Sequence, residues 1–181
     1  MTLMKVFGRM GTNEIKRMVI YMKEFNNSVY FNGTDYCMQS MKLQELSENA
    51  ETPFYVYDMN FIINNYNKLK ACFPWEDVRL HYAMKANYNP HMLKIMNDNG
   101  FCLDTVSPAE VIMAKKIGFD SDNILFTANN MTDAEMELVK AQGVLFNIDS
   151  LSRLEAYGKA YNGSKVCLRI NPDVQAGENL K

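Results

Sequence analysis

From residue 54 onward the apolar positions fall into short runs, and the stretches between them carry the spacing of amphipathic helices. The runs at 54–57, 80–84, 101–106, 124–128, 144–148 and 166–170 are short and bounded by turn residues, which predicts strands. The intervening stretches at 60–72, 90–97, 108–117, 133–141 and 151–160 predict helices. Their ends are signposted. Ser107-Pro108-Ala109-Glu110 and Thr132-Asp133-Ala134-Glu135 have capping-box spacing, and Gly100, Gly118 and Gly143 fall where helices close on a glycine. Six strands alternating with five helices predict a parallel α/β fold. Upstream, residues 29–43 predict short strands around the turn Asn32-Gly33-Thr34-Asp35, followed by a helical turn at 43–49 leading into Thr52-Pro53. The domain division expected is an N-terminal extension at 1–28, a β segment and linker at 29–51, and a barrel-like unit at 52–181.

That barrel would be incomplete. A whole (β/α)8 barrel needs about 250 residues, and Thr52 to Lys181 supplies about 130, so a truncated barrel is expected, with a strand edge and inner faces left open to aggregation or to a partner. Met1 to Lys23 carries Lys5, Arg9, Lys16, Arg17 and Lys23 against the single acid Glu14, with no apolar core of the kind a secretory signal has. Met22 offers an alternative start just before the patterned region. A cytoplasmic location is expected.

Composition narrows the classes. The chain has 181 residues, 48% hydrophobic and 22% charged, with a net charge of −2, which gives nucleic acid no basic surface and places the chain among ordinary globular proteins. No apolar run approaches the ~20 residues of a membrane span. Cys37, Cys72, Cys102 and Cys167 are far apart, with no CxxC pair and no neighbouring histidine, so they are expected to be reduced and buried, with no metal site. The fourteen methionines show no helical stripe and are expected as core filler.

Chemistry concentrates at Tyr82-Ala83-Met84-Lys85-Ala86-Asn87. If residues 78–84 alternate as one strand, period two puts His81, Ala83 and Lys85 on one face, and Asn89-Pro90 starts the next helix. Lys85 then stands at the carboxyl end of a strand, where parallel folds build their sites, above a small Ala83 that leaves room for a flat ligand. A desolvated amine there can form a Schiff base. The alternative is a lysine that snorkels from a strand end into water.

Taken with Thr52-Pro53-Phe54-Tyr55-Val56-Tyr57-Asp58, Asp104-Thr105-Val106-Ser107-Pro108-Ala109-Glu110, Asn147-Ile148-Asp149-Ser150 and Arg169-Ile170-Asn171-Pro172-Asp173-Val174, this run closely resembles the diaminopimelate decarboxylases from Tyr30 to Lys181. The resemblance implies an alanine-racemase-like (β/α)8 barrel, with residues 29–51 belonging to the family's separate β domain. It also implies pyridoxal 5'-phosphate carried on Lys85, decarboxylation of meso-diaminopimelate to lysine, and a homodimer with shared sites. Asp104 is implied close to the lysine, in direct contact with the cofactor or in a salt bridge behind it. Arg169 is implied near the phenolic oxygen or another anionic group beside the ring, or else in an ion pair with Asp149 or Asp104. Ser107, Glu110 and Asp149-Ser150 are explained first as helix caps. Asn129-Asn130 stands where the family usually has Gly-Asn. His81 is expected to be packed and His91 solvated. The family's ring-stacking histidine, glycine-rich phosphate loop and catalytic cysteine have no counterpart in these residues, so this chain alone is expected to bind the cofactor poorly. Alternatives are a decarboxylase of the same group acting on ornithine, arginine or carboxynorspermidine, and a non-catalytic cofactor-binding or interaction module.

Overall fold

The computed structural model describes residues 3–6, 28–48, 50–51, 53–127 and 129–170, which form two compact units, Met1–Pro74 and Trp75–Lys181. Of the residues singled out above, Met1, Arg9, Glu14, Lys16, Arg17, Met22, Lys23, Thr52, Ala128, Asn171 to Val174 and Lys181 lie outside those described.

The first unit contains β1 (Leu3–Val6), β2 (Val29–Phe31), β3 (Tyr36–Met38), β4 (Met41–Lys42), α1 (Leu43–Glu48), β5 (Phe54–Tyr57) and α2 (Met59–Ala71). The expected turn forms because the Asn32 side chain accepts from the backbone N–H groups of Thr34 and Asp35, while Gly33 takes φ +105°. The hairpin aligns Val29 with Met38, and these two with Leu43 make a small core that Tyr36, Leu46, Phe54 and Val56 cover. Asp58, buried, caps α2 by accepting from the Phe61 N–H at 2.9 Å and also accepts from Gln39 Nε2 at 2.8 Å. Gln39, in the two-residue link from β3 to β4, has φ +53°, and Tyr30 OH donates to its carbonyl at 2.7 Å.

One expectation changes here. Residues 54–57 form the expected strand, but they pair antiparallel with Leu3–Val6, in the register Leu3↔Tyr57 to Val6↔Phe54. Short apolar runs advertise strand character, whereas the partner a strand chooses depends on register and on what lies beside it.

The second unit contains β6 (His81–Ala83), α3 (Pro90–Asp98), β7 (Cys102–Thr105), α4 (Pro108–Ile117), β8 (Ile124–Thr127), α5 (Asp133–Lys140), β9 (Leu145–Ile148), α6 (Leu151–Ala160) and β10 (Val166–Leu168). The five strands form one parallel sheet in the order β10-β9-β8-β7-β6. Each connection between neighbouring strands is a helical crossover, as parallel pairing demands. The sheet's two faces differ. Leu103, Thr105, Ile124, Phe126, Phe146 and Ile148 alternate onto the buried face with Val111, Ala114, Met136, Val139 and Tyr157 of the helices, and Phe126 stacks edge-on to Phe146 at 5.3 Å. On the opposite face stand Ala83, Asp104, Leu125, Thr127, Asn147 and Cys167, which strand register brings side by side.

The helix caps follow the sequence reading. Thr132 and Glu135 make a full capping box, and Gly118 closes α4 at φ +112°. At α4 the Ser107 hydroxyl accepts from the Glu110 N–H, while the Glu110 carboxylate reaches one residue further back, to the N–H of Val106 at 2.7 Å. Met84, Met92, Met96, Met131 and Met136 are buried, as filler should be. The cysteines are free, but only Cys37 and Cys102 are buried; Cys167 is intermediate and Cys72 is exposed because it caps the solvated end of α2.

Candidate active site

Lys85 sits one step away from where strand alternation puts it. β6 ends at Ala83, and Met84–Ala86 forms a single 3-10 turn closed by the Asn87 N–H donating to the Met84 carbonyl at 3.1 Å. The run from 78 to 84 is therefore a three-residue strand, and period two stops applying at Ala83. The turn has two contrasting sides. Met84 is fully buried, while Lys85 is exposed. Beyond it, Asn87 Oδ1 accepts from the Asn89 N–H at 3.0 Å, and Asn89 Oδ1 accepts from the N–H groups of His91 and Met92, starting α3 with Pro90 in its first turn. Tyr82 OH donates to the Asn87 carbonyl at 3.3 Å. A packed residue, a side-chain cap and a proline thus fix the backbone on both sides of a primary amine at the carboxyl edge of a parallel sheet.

Asp104 lies on the neighbouring strand β7, in register with Ala83 and so two residues below the lysine's position in the chain. Its Oδ1 accepts from Thr127 Oγ1 at 2.7 Å, and Thr127 Oγ1 in turn accepts from Asn147 Nδ2 at 3.3 Å. An intermediate exposure and a hydroxyl partner offset the cost of holding this carboxylate on a sheet face. Where a salt bridge was one expectation for it, its partner is a neutral hydroxyl. Thr127 was not singled out from the sequence and Asn147 was quoted only within the run Asn147-Ile148-Asp149-Ser150, with no role, because their meeting depends on the register Thr127↔Asn147 and on a diagonal step from β8 to β7.

Arg169 follows β10, with its backbone N–H bonded to the Ile148 carbonyl at 2.8 Å. Its guanidinium reaches Asn129 Oδ1 at a long 3.5 Å and is exposed. Among the described residues it forms an ion pair with neither Asp149 nor Asp104. Asn129 and Asn130 link β8 to α5, and Asn130 takes φ +56°, a conformation asparagine tolerates better than most side chains. His81 is solvent-exposed and not packed as expected, though its Nδ1 lies 3.0 Å from the Leu103 carbonyl; His91 is exposed. Ser150 caps α6 by accepting from the Arg153 N–H, with Asp149 exposed beside it. Among the described residues, no three His, Cys, Asp or Glu side chains are grouped to hold a metal ion, and no helix is long and apolar enough to cross a membrane.

An exposed amine on a fixed turn, a carboxylate held by a hydroxyl and a guanidinium therefore line one edge of the sheet. Residues 59–181 match the family model described as the pyridoxal-binding domain of pyridoxal-dependent decarboxylases. The chain belongs to that family. It is 32% identical over 158 residues to the diaminopimelate decarboxylase of Aquifex aeolicus, covering 84% of this chain and 37% of the relative. With that of Methanothermobacter thermautotrophicus the identity is 39% over 138 residues, covering 75% and 32%. The crystal structure of diaminopimelate decarboxylase from M. jannaschii superposes with a TM-score of 0.74 at 30% identity, covering 82% of this chain and 37% of that one. The Helicobacter pylori enzyme complexed with L-lysine gives a TM-score of 0.60 at 27% identity, over 64% of this chain and 30% of that one. The sheet and its helices are accordingly part of an alanine-racemase-like barrel, and the chain spans about a third of the length of these relatives.

Proposed function

We propose that this chain carries the lysine-bearing part of a diaminopimelate decarboxylase, with Lys85 holding pyridoxal 5'-phosphate and meso-2,6-diaminopimelate as the substrate. The observation that carries the reading is the exposed Lys85 on its fixed turn, one strand from the hydroxyl-held Asp104. When bound, the cofactor supplies an aldehyde for the amine and a ring that takes up the electron pair left by departing carbon dioxide.

The chain's own residues supply position and charge. The 3-10 turn holds the Lys85 amine clear of the β6 ladder, and Ala83 leaves a flat ligand room beside it. Asp104, on the strand beside the lysine turn, would supply a negative charge that favours a cationic nitrogen at Lys85. Arg169 places a positive charge at the same edge, suited to the phenolic oxygen of the ring. The donor set fits the amine and ring portions of the cofactor. We infer that anchoring its phosphate and closing the site draw on parts of the protein that the relatives carry outside the matched stretch, and that the full assembly is a homodimer.

Release of carbon dioxide from meso-diaminopimelate by a protein containing this chain, abolished by Lys85→Ala, is the expected result. Turnover of ornithine, arginine or carboxynorspermidine in its place would overturn the substrate, and full activity in Lys85→Ala would overturn the site. For the 181 residues alone, borohydride trapping is expected to leave pyridoxyl on Lys85 in substoichiometric yield; a stoichiometric yield would show that the cofactor needs nothing further.

A further inference from the structure

We propose that Thr127 is a positioning residue for Asp104 and is itself oriented by Asn147, so that three strands act as one directional hydrogen-bond chain ending on a carboxylate. The proposal rests on the reading that Asp104 faces the cofactor held by Lys85.

The direction follows from the inventory of protons. A hydroxyl has one hydrogen to give, and an ionised carboxylate has none. The 2.7 Å contact between Thr127 Oγ1 and Asp104 Oδ1 therefore commits the threonine proton to Asp104. Having given its proton, Thr127 can only accept from Asn147, and this assigns the side-chain amide so that Nδ2, at 3.3 Å, faces the hydroxyl. The bonds run one way, from the amide through the hydroxyl to the carboxylate. Polarisation along such a chain strengthens its last bond.

The placement is rigid. Thr127 is β-branched and sits in the parallel sheet between β7 and β9, so its χ1 is restricted and its hydroxyl position is set by the strand. Asn147 is in register with Thr127 on one side and with Cys167 on the other, which holds it inside the ladder. The carboxylate is anchored through one oxygen only, since Asp104 Oδ2 takes no hydrogen bond from the described residues. That arrangement keeps the acid in one rotamer and leaves one oxygen for a cationic partner.

Thr105 provides the contrast. It lies on the buried face of the same sheet, and its hydroxyl donates to the Leu125 carbonyl at 3.0 Å, which satisfies a buried polar group and nothing more. Thr127, on the opposite face, donates its proton to a charged side chain next in line to the lysine turn.

Condensation of the Lys85 amine with an aldehyde releases one water, and the new nitrogen becomes cationic once it takes a proton from solvent. A carboxylate held beside it favours the condensed form, and a carboxylate free to swing away does so less. The test treats the wild-type protein, Asp104→Asn, Thr127→Val, Thr127→Ser and the Asp104→Asn/Thr127→Val pair with pyridoxal 5'-phosphate, then reduces with borohydride. Pyridoxyl on Lys85 is quantified by peptide mass spectrometry. The carboxyl carbon resonance of Asp104 is recorded separately by NMR without the cofactor.

Thr127→Val is expected to lower the Lys85 yield by roughly tenfold, the lower end for loss of a hydrogen bond to a charged group. It is also expected to displace the Asp104 resonance, and Thr127→Ser to restore both. Adding Thr127→Val to Asp104→Asn is expected to lower the yield no further, because the hydroxyl acts through the acid. A wild-type yield in Thr127→Val alongside a reduced one in Asp104→Asn overturns the positioning role alone, as do losses that multiply in the double variant. A wild-type yield in Asp104→Asn overturns the placing of that acid at the cofactor, and the role of Thr127 with it.

Discussion

Glu135 shows how one side chain can make a helix sensitive to acid. Its Oε2 accepts from both the backbone N–H and the hydroxyl of Thr132 at 2.8 Å, while its own N–H donates to the Thr132 hydroxyl at 3.3 Å. The backbone bond first, and the hydroxyl second, hold its carboxyl below the ordinary glutamate value of 4.5. A group whose value is depressed by folding stabilises the folded state above its unfolded value, and that contribution is lost as pH falls through the folded value. Glu135→Gln is therefore expected to be less stable than the parent at neutral pH and to converge with it below pH 4.5. Thermal melts across pH check this; a gap that stays constant on acidification would rule out the capping carboxylate as its source. Thr132→Ala removes the other half of the box and is expected to cost about 1 kcal/mol by chemical denaturation.

At the scale of elements, glycines of two kinds separate conformational need from convenience. Gly118 closes α4 at φ +112°, and a methyl group there would meet only Asn97 Nδ2 at an ordinary 3.6 Å, so Gly118→Ala is expected to destabilise by backbone strain, about 1–2 kcal/mol. Gly158 lies within α6 with nothing near its missing side chain, and Gly158→Ala is expected to stabilise by about 0.5–1 kcal/mol. In denaturant melts, a destabilised Gly158→Ala would contradict the one assignment and a stabilised Gly118→Ala the other. Phe146, wedged between Phe126 at 5.3 Å and Tyr157 at 5.0 Å, is the packing centre of the sheet, and Phe146→Ala is expected to cost about 3–5 kcal/mol. Elements such as α4 and α6 were legible in the sequence because Ser107, Gly118 and Ser150 act locally, through hydrogen bonds within a few residues. Lys85 was legible as a lysine closing an apolar run, but its 3-10 turn was not, since a short turn leaves the apolar pattern of Tyr82 to Met84 unchanged. Pairing was less legible still. The partnership of β5 with Leu3–Val6, and the meeting of Asp104 with Thr127, depend on contacts between distant segments that neither apolar spacing nor capping residues encode.

At the scale of the whole molecule, the division between Pro74 and Trp75 falls in a segment, residues 73–80, that lies in neither helix nor strand. Phe73 is 38% and Trp75 is 69% exposed, which offers a protease large apolar side chains on an irregular backbone. Brief chymotrypsin treatment is expected to cut first at Phe73 or Trp75 and to leave a fragment containing the five-stranded sheet. First cuts between 81 and 168 would show the sheet to be the weaker part.

The turn that carries Lys85 is seated on a residue that solvent does not reach. Met84 is wholly enclosed, and the lysine follows it directly in the same three-residue turn. Methionine fills irregular gaps in a core, so a change of side-chain volume at Met84 is expected to shift the turn. Libraries built to test the proposed role of Lys85 should therefore randomise Met84 along with the exposed rim, because one support of the lysine turn is buried in the hydrophobic interior.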